Sequence, residues 1–370
     1  MKIGIDASRA NKKNKTGVEW YSYYLIQEMK KITPLDTEVV LYTNEKLTNG
    51  LEDCPANFSE KNLKWPPKYL WTQLRLAWEL FFDAPDVLFV PAHTIPFWPI
   101  RKKTKVYVTV HDVGFKRNPK LYKKIQYYYH DLTMRRIKSR VNTIITISDF
   151  SKQEIIDLYK IEAKKIVVIP LGYDQEKYNK NIVDDYSVLK KYKIQKPYIL
   201  YVGRLERKKN IGNLIKAFAY SKILNPELKL VLAGNAGNEY EEIKNIINKN
   251  RLESEIILPG YIDEIDLPVV IKMAGAFVFP TLYEGFGLPI LQSMAVGTPV
   301  ITSDIEPHRW VAGGAAILVN PKDSEDMAKK INKAIKDEIF VLELKNRGFK
   351  RVEQFSWQNT AIKVLAVISQ

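Results

Sequence analysis

Short runs of apolar, mostly β-branched residues alternate with amphipathic stretches along most of the chain, which is the pattern of a parallel sheet flanked by helices. In the first half the predicted strands are KIGIDA (2–7), EVVLYT (38–43), VLFVP (87–91), KVYVTVHD (105–112), NTIITIS (142–148) and KIVVIP (165–170). A polar segment, 173–197, lacks periodicity and reads as a linker. A second series follows: YILYVG (198–203), LKLVLAG (228–234), EIILPG (255–260), AFVFP (276–280), PVITSD (299–304) and AAILV (315–319). Ser356 then caps a last amphipathic stretch, 356–370, with no strand after it.

The 370 residues exceed what one hydrophobic core of roughly 250–300 residues can hold. Two Rossmann-like α/β domains are therefore expected, 1–172 and 198–355, with a cleft between them and the last stretch packing on either. With 46% hydrophobic and 27% charged residues, the chain has the composition of a folded protein rather than a disordered one. Cys54 is its one cysteine, which excludes an intrachain disulfide and a cysteine-based metal site. A reducing, cytoplasmic setting is expected, since no segment approaches the ~20 apolar residues of a membrane span.

The formal charge of +15 changes the picture by favouring polyanionic partners. Lysines spread over solvated faces account for it equally well. Within the basic stretch 116–140, a helix with Tyr inward and Lys outward is favoured over a nucleic-acid-binding surface. In KWPPKYLWTQLRLAWELFF (64–82), a buried helix entered after Pro66 and Pro67 is favoured over a membrane-interface segment.

The strongest chemical signal is FVFPTLYEGFGLPILQSMAVGTPVITSD (277–304), which reads as strand, glycine turn, helix, turn and strand. Gly285 and Gly287 let a backbone approach a ligand closely, and Pro289 suits the first turn of the helix. Peptide N–H groups of Phe286, Gly287 and Leu288 would face a diphosphate at the positive end of the helix dipole. Glu284 is placed for sugar hydroxyls or a positively charged anomeric carbon, and Gln292, one turn into the helix, for a ribose diol. In YVGRLERKKNI (201–211), Gly203 frees a turn that carries Arg204 and Lys209 toward the same diphosphate. Gly17 opens a helix after a lysine-rich loop, and His111 and Asp112 lie at a strand end. The four histidines show no HExxH or HxxxH spacing, so no metal site is expected.

Taken in order, MKIGIDAS, TGVEWY, VTVHDVGF, ITISDFSK, VIPLGYD, YVGRLERKKNI, the long string at 277–301, AAILVNP and FSW resemble glycosyltransferase family 4 over nearly the whole chain. The resemblance implies a GT-B fold, with the 1–172 domain taking the acceptor, the 198–355 domain taking a nucleoside diphosphate sugar, and a C-terminal crossover helix. It implies retaining, metal-independent hexosyl transfer by front-face attack, from GDP-mannose or a UDP-sugar to a glycan or lipid-linked acceptor in polysaccharide or glycoconjugate synthesis. It also implies no cofactor; peripheral attachment to the inner face of a membrane, through the segment 64–82, is a variant compatible with it. Arg204 and Lys209 match the family's diphosphate pair, Glu284 the first Glu of its E-x7-E motif, His111 a residue near the sugar, and Gly17 a loop over the phosphates. The sequence departs from the pattern at Gln292, where the second Glu is usual, and at Trp310, where a Glu is common. A GT-B epimerase and a basic nucleic-acid-binding protein are the competing readings.

Overall fold

The computed structural model describes residues 1–65, 70–97, 100–237 and 240–370. They form two compact units, one of residues 1–172 with 356–370 and the other of residues 173–355.

The first unit holds a seven-stranded parallel sheet: β1 (Lys2–Asp6), β2 (Glu38–Thr43), β3 (Phe58–Asn62), β4 (Val87–Val90), β5 (Lys105–Thr109), β6 (Thr143–Thr146) and β7 (Ile166–Val168). Their spatial order is β3-β2-β1-β4-β5-β6-β7. The central strands read as continuous apolar runs because both faces are buried, with Ile3, Ile5, Leu88, Phe89, Val106 and Val108 fully enclosed. β3 was not expected. Its sequence, FSEKN, buries only Phe58, as an edge strand with one neighbour can.

The second unit holds β8 (Tyr198–Val202), β9 (Lys229–Ala233), β10 (Ile256–Gly260), β11 (Ala276–Phe279), β12 (Val300–Ser303) and β13 (Ile317–Val319), in the order β10-β9-β8-β11-β12-β13. In each sheet the winding reverses beside the first strand of the unit, between β1 and β4 and between β8 and β11. Open parallel sheets bind ligands outside the carboxyl ends of the strands at such a reversal. The topology thus nominates one place in each unit before any side chain is considered.

Three expectations need correction. Residues 173–197 are part of the second unit rather than a free linker, because Tyr178, Val188, Leu189 and Ile194 are buried there. In the helix Lys124–Arg140 the tyrosines are not inward as a set: Tyr127 packs on the core, while Tyr128 and Tyr129 are exposed together with Ile125 and Leu132. The segment 64–82 is not a buried helix either. It contains a π-helical turn, Thr72–Leu76, and the helix Ala77–Phe82, which bury Leu76 and Leu80 but leave Trp78 65% and Phe82 57% exposed. Pro66 and Pro67, expected to start that helix, lie outside the described residues.

The terminal helix Trp357–Ile368 packs in the first unit against the helix Gly17–Ile32. Trp357 stacks on Tyr24 at 5.4 Å, and Thr360 Oγ1 donates to the Pro170 carbonyl at 2.8 Å. The backbones pass so closely that a Cβ on Gly172 would lie 2.1 Å from the Trp357 nitrogen. Ser356 caps the helix as expected, its Oγ accepting from the Asn359 N–H at 3.1 Å.

Candidate active site

At the β8–β11 reversal, the loop after β8 and the segment after β11 are tied together by backbone and side chain. The Leu282 N–H donates to the Lys208 carbonyl at 2.9 Å. Asn210, which follows Lys209 in a left-handed conformation, donates from Nδ2 to the Pro280 carbonyl at 2.9 Å and the Pro321 carbonyl at 2.6 Å. These bonds hold Lys209 over the Phe279 ring, 5.2 Å from its centroid, with its ammonium paired to the Glu284 carboxylate. Both side chains are largely buried, at 12% and 16% exposure. Burial alone would raise the Glu284 pKa, but the charges of Lys209 and Lys208 and the hydrogen bond from Lys209 outweigh it and hold the carboxyl below its ordinary range.

Glu284 leads directly into the glycine turn. Gly287 has φ +103 and stands at the N-cap of the helix Leu288–Ala295. A Cβ there would meet Ile290 Cδ1 at 2.9 Å as well as straining the backbone, so the position requires glycine. Pro289 has no N–H and the Ile290 N–H turns back to the Gly287 carbonyl at 2.9 Å, so of the first three helix residues only Leu288 keeps a helix-start donor that neither the proline nor that bond removes. Phe286 is buried under the turn, Leu288 is half-buried at its end, and Gln292 lies half-buried in the second turn of the helix. Gly203 follows β8, its N–H donating to the Ala233 carbonyl at 2.9 Å.

Arg204 is on the same loop but reaches elsewhere. Its aliphatic stem lies over Gly237, and the residue is exposed. The structure therefore joins Lys209 to Glu284 and the turn, and leaves Arg204 along the β9 side of the strand ends.

Two residues beneath the turn carry no motif. His308, on the helix Glu306–Ala312, is fully buried, and its Nε2 would be 3.2 Å from a Cβ on Gly287. Thr302 Oγ1 gives its one proton to the Phe279 carbonyl at 3.0 Å, so in its 2.7 Å contact with His308 Nδ1 the hydroxyl accepts and the ring nitrogen donates. Nε2 is then a bare acceptor, buried without a hydrogen-bond partner. Burial pushes the His308 pKa down to about 4, against the pull of the Glu284 charge. Trp310, two residues on, packs edge-on against Phe286 at 5.9 Å and Phe355 at 5.7 Å, with the Arg351 guanidinium 5.4 Å from its ring. Trp310, one of the two departures from the family pattern, is thus an apolar support for the turn.

In the first unit, His111 follows β5 and is buried against Tyr21, whose ring is edge-on at 4.7 Å. Its Nε2 is 3.3 Å from the Pro91 carbonyl, and burial lowers its pKa. Gly17 is the first residue of the helix Gly17–Ile32, just after Thr16, whose N–H donates to the Glu19 carboxylate at 3.2 Å. Arg9 pairs with the same carboxylate at 3.4 Å, which ties the loop after β1 to the helix start. Among the described residues, no three His, Cys, Asp or Glu side chains are grouped as metal ligands would be. Among the same residues, no helix is long and apolar enough to cross a membrane.

Comparison with known proteins agrees in both halves of the chain. A family model described as Glycosyltransferase Family 4 matches residues 15–177, and one described as Glycosyl transferases group 1 matches residues 188–351. O-antigen chain mannosyltransferase B of Escherichia coli is 30% identical over 296 residues, covering 79% of this chain and 76% of the relative. O-antigen chain mannosyltransferase RfbU of Salmonella typhimurium is 26% identical over 338 residues, covering 88% and 89%. Among solved structures, WaaG, a glycosyltransferase involved in lipopolysaccharide biosynthesis, superposes with a TM-score of 0.78 at 13% identity, over 100% of both chains.

Proposed function

This chain belongs to the group 1, family 4 glycosyltransferases, and from that premise we propose that it moves a hexose from GDP-mannose or a UDP-sugar to a glycan or lipid-linked acceptor with retention of configuration. The observation that carries the reading is the Lys209–Glu284 pair beside the Gly285–Leu288 turn at the β8–β11 reversal. On donor binding, Lys209 exchanges Glu284 for the diphosphate, and Glu284 turns to the sugar. The bond from the anomeric carbon to the phosphate oxygen breaks while the acceptor oxygen bonds to the same face, and the acceptor's proton passes to the leaving diphosphate. Lys209 and the helix start stabilise the negative charge that develops, a part that a divalent ion plays elsewhere. No side-chain nucleophile takes part.

A thermal-shift panel of UDP, GDP, ADP and their sugars tests the donor assignment, since a bound ligand stabilises the native state by RT ln(1 + [L]/Kd). A stabilising nucleotide whose effect vanishes in Lys209→Ala is expected. No response to any of them would remove the reading.

An observation also favours peripheral attachment to an anionic membrane. Leu74, Trp78, Phe81 and Phe82 are exposed together, and Arg101 is held beside them by bonds to the Phe81 and Phe82 carbonyls at 2.9 Å. Aromatic residues next to a guanidinium suit a headgroup interface. The full chain should float with vesicles rich in anionic lipid, and Trp78→Ser with Phe82→Ser should not; equal flotation of both would discard the attachment.

A further inference from the structure

The reversal in the first sheet holds a second cluster, of which the family resemblance gives a part in the transfer to His111 alone. Three of the chain's four histidines gather at or beside the ends of β4 and β5: His93, His111 and His130. The His93 and His130 rings meet at 4.8 Å, and His130 also lies 5.2 Å from Phe115 and 5.8 Å from Tyr129. Tyr129 in turn is 6.2 Å from Phe97, whose N–H is held by Gln73 Oε1 at 2.7 Å. His130 Nδ1 is buried without a hydrogen-bond partner, although the residue as a whole is only half-buried. Asp112 is close enough for its charge to act on His130 and His111, and one of its oxygens accepts from the Gly114 N–H at 2.9 Å.

We propose that His93, His130 and Asp112 form a binding site for the hydroxyl groups of a neutral glycan, with Tyr129 and Phe97 offering aromatic faces to the sugar ring. The assignment rests on the transferase reading above and gives its acceptor a place. Burial, then the neighbouring rings and Arg9, push His93 well below its ordinary pKa, and burial does the same for His130. Each neutral imidazole shows one N–H and one lone pair, which matches a hydroxyl as both donor and acceptor. A phosphorylated acceptor would call for free cations, whereas Arg9, whose charge acts on His93 and His130, is paired with Glu19 at 3.4 Å. The mixture of a few convergent polar groups with aromatic walls is that of a small-molecule site.

Two measurements on the full chain test this. With a donor that the chain hydrolyses, His93→Phe and His130→Phe should raise KM for neutral oligosaccharides roughly tenfold or more, leaving donor KM and donor hydrolysis within about twofold. His130→Gln should recover part of the loss. A purely structural histidine would instead move all three quantities, and that outcome overturns the site. So does transfer to fructose 6-phosphate with none to a panel of neutral oligosaccharides ending in mannose, glucose, galactose or N-acetylglucosamine. If either Phe variant fails to fold, the side-chain nitrogen signals of His93 and His130 in 15N-histidine-labelled protein give the second test. They should shift with at least one oligosaccharide of the panel and not with GDP or UDP. Silence across the panel overturns the proposal. A shift in protein that binds no nucleotide supports it and counts against the donor reading alone.

Discussion

Lys209 and Glu284 neutralise each other in a largely buried setting, so each keeps the other's charge tolerable. Removing one partner leaves a buried charge uncompensated, which costs about 3–5 kcal/mol. Lys209→Ala and Glu284→Ala should each lower stability by that amount, and the double variant by less than their sum; additive losses in urea melts would show that the pair is not coupled. Turnover should fall at least ~100-fold in Lys209→Ala, because the charge stabilised during bond breaking loses its cation. Both residues were singled out in the sequence because they sit in long, specific strings, but the expected partner of Lys209 was Arg204, and its pairing with Glu284 is seen only in the structure. His308 and the His93–His130 contact were not singled out. Which ring nitrogen of His308 carries a proton depends on Thr302 and on Phe279, which the β11–β12 pairing sets beside Thr302.

Elements were legible where an apolar run was unbroken, as burial on both sides makes it in the central strands and as the edge strands β7, β10 and β13 keep it with partial burial, so twelve strands stand where the pattern put them. β3 escaped because an edge strand can be mostly polar, and the helix Lys124–Arg140 misled because spacing alone does not say which side of a helix the core takes. The terminal helix was seen as a helix; its residues left the partner open, and the family resemblance implied the first domain. Its stack of Trp357 on Tyr24 now makes a definite prediction. Trp357→Ala should cost about 3–5 kcal/mol, the range for emptying a buried aromatic position. In calorimetry the loss should appear in the transition of the first unit and leave that of the second in place. A shift of both transitions together would mean that the helix does not belong to the first unit alone.

At the scale of the whole molecule, all four histidines are held neutral below their ordinary pKa, three in the first unit and one in the second. Unfolding frees them to take protons below about pH 6.5, so the unfolded state binds more protons and stability falls as pH drops from there toward the folded pKa values. Each such histidine contributes roughly 1.4 kcal/mol per pH unit in that window. Asp6 and Glu154, both in the first unit and both raised by burial, take up protons in the folded state and offset part of the loss. The net expectation is that two thermal transitions separate between pH 7 and pH 5, with the first unit moving down more. His130→Phe should make its slope shallower. Transitions that fall in parallel in both proteins would refute the assignment.

The return of the chain to its first unit also orders events on the ribosome. Residues 173–355 must be made before the helix that covers Tyr21 and Tyr24 exists, a delay of roughly ten to forty seconds at ordinary elongation rates. During that interval the nascent first unit shows a bare aromatic strip, a natural mark for chaperones, and a synthesis halted within the second unit would release a product unable to close its own surface.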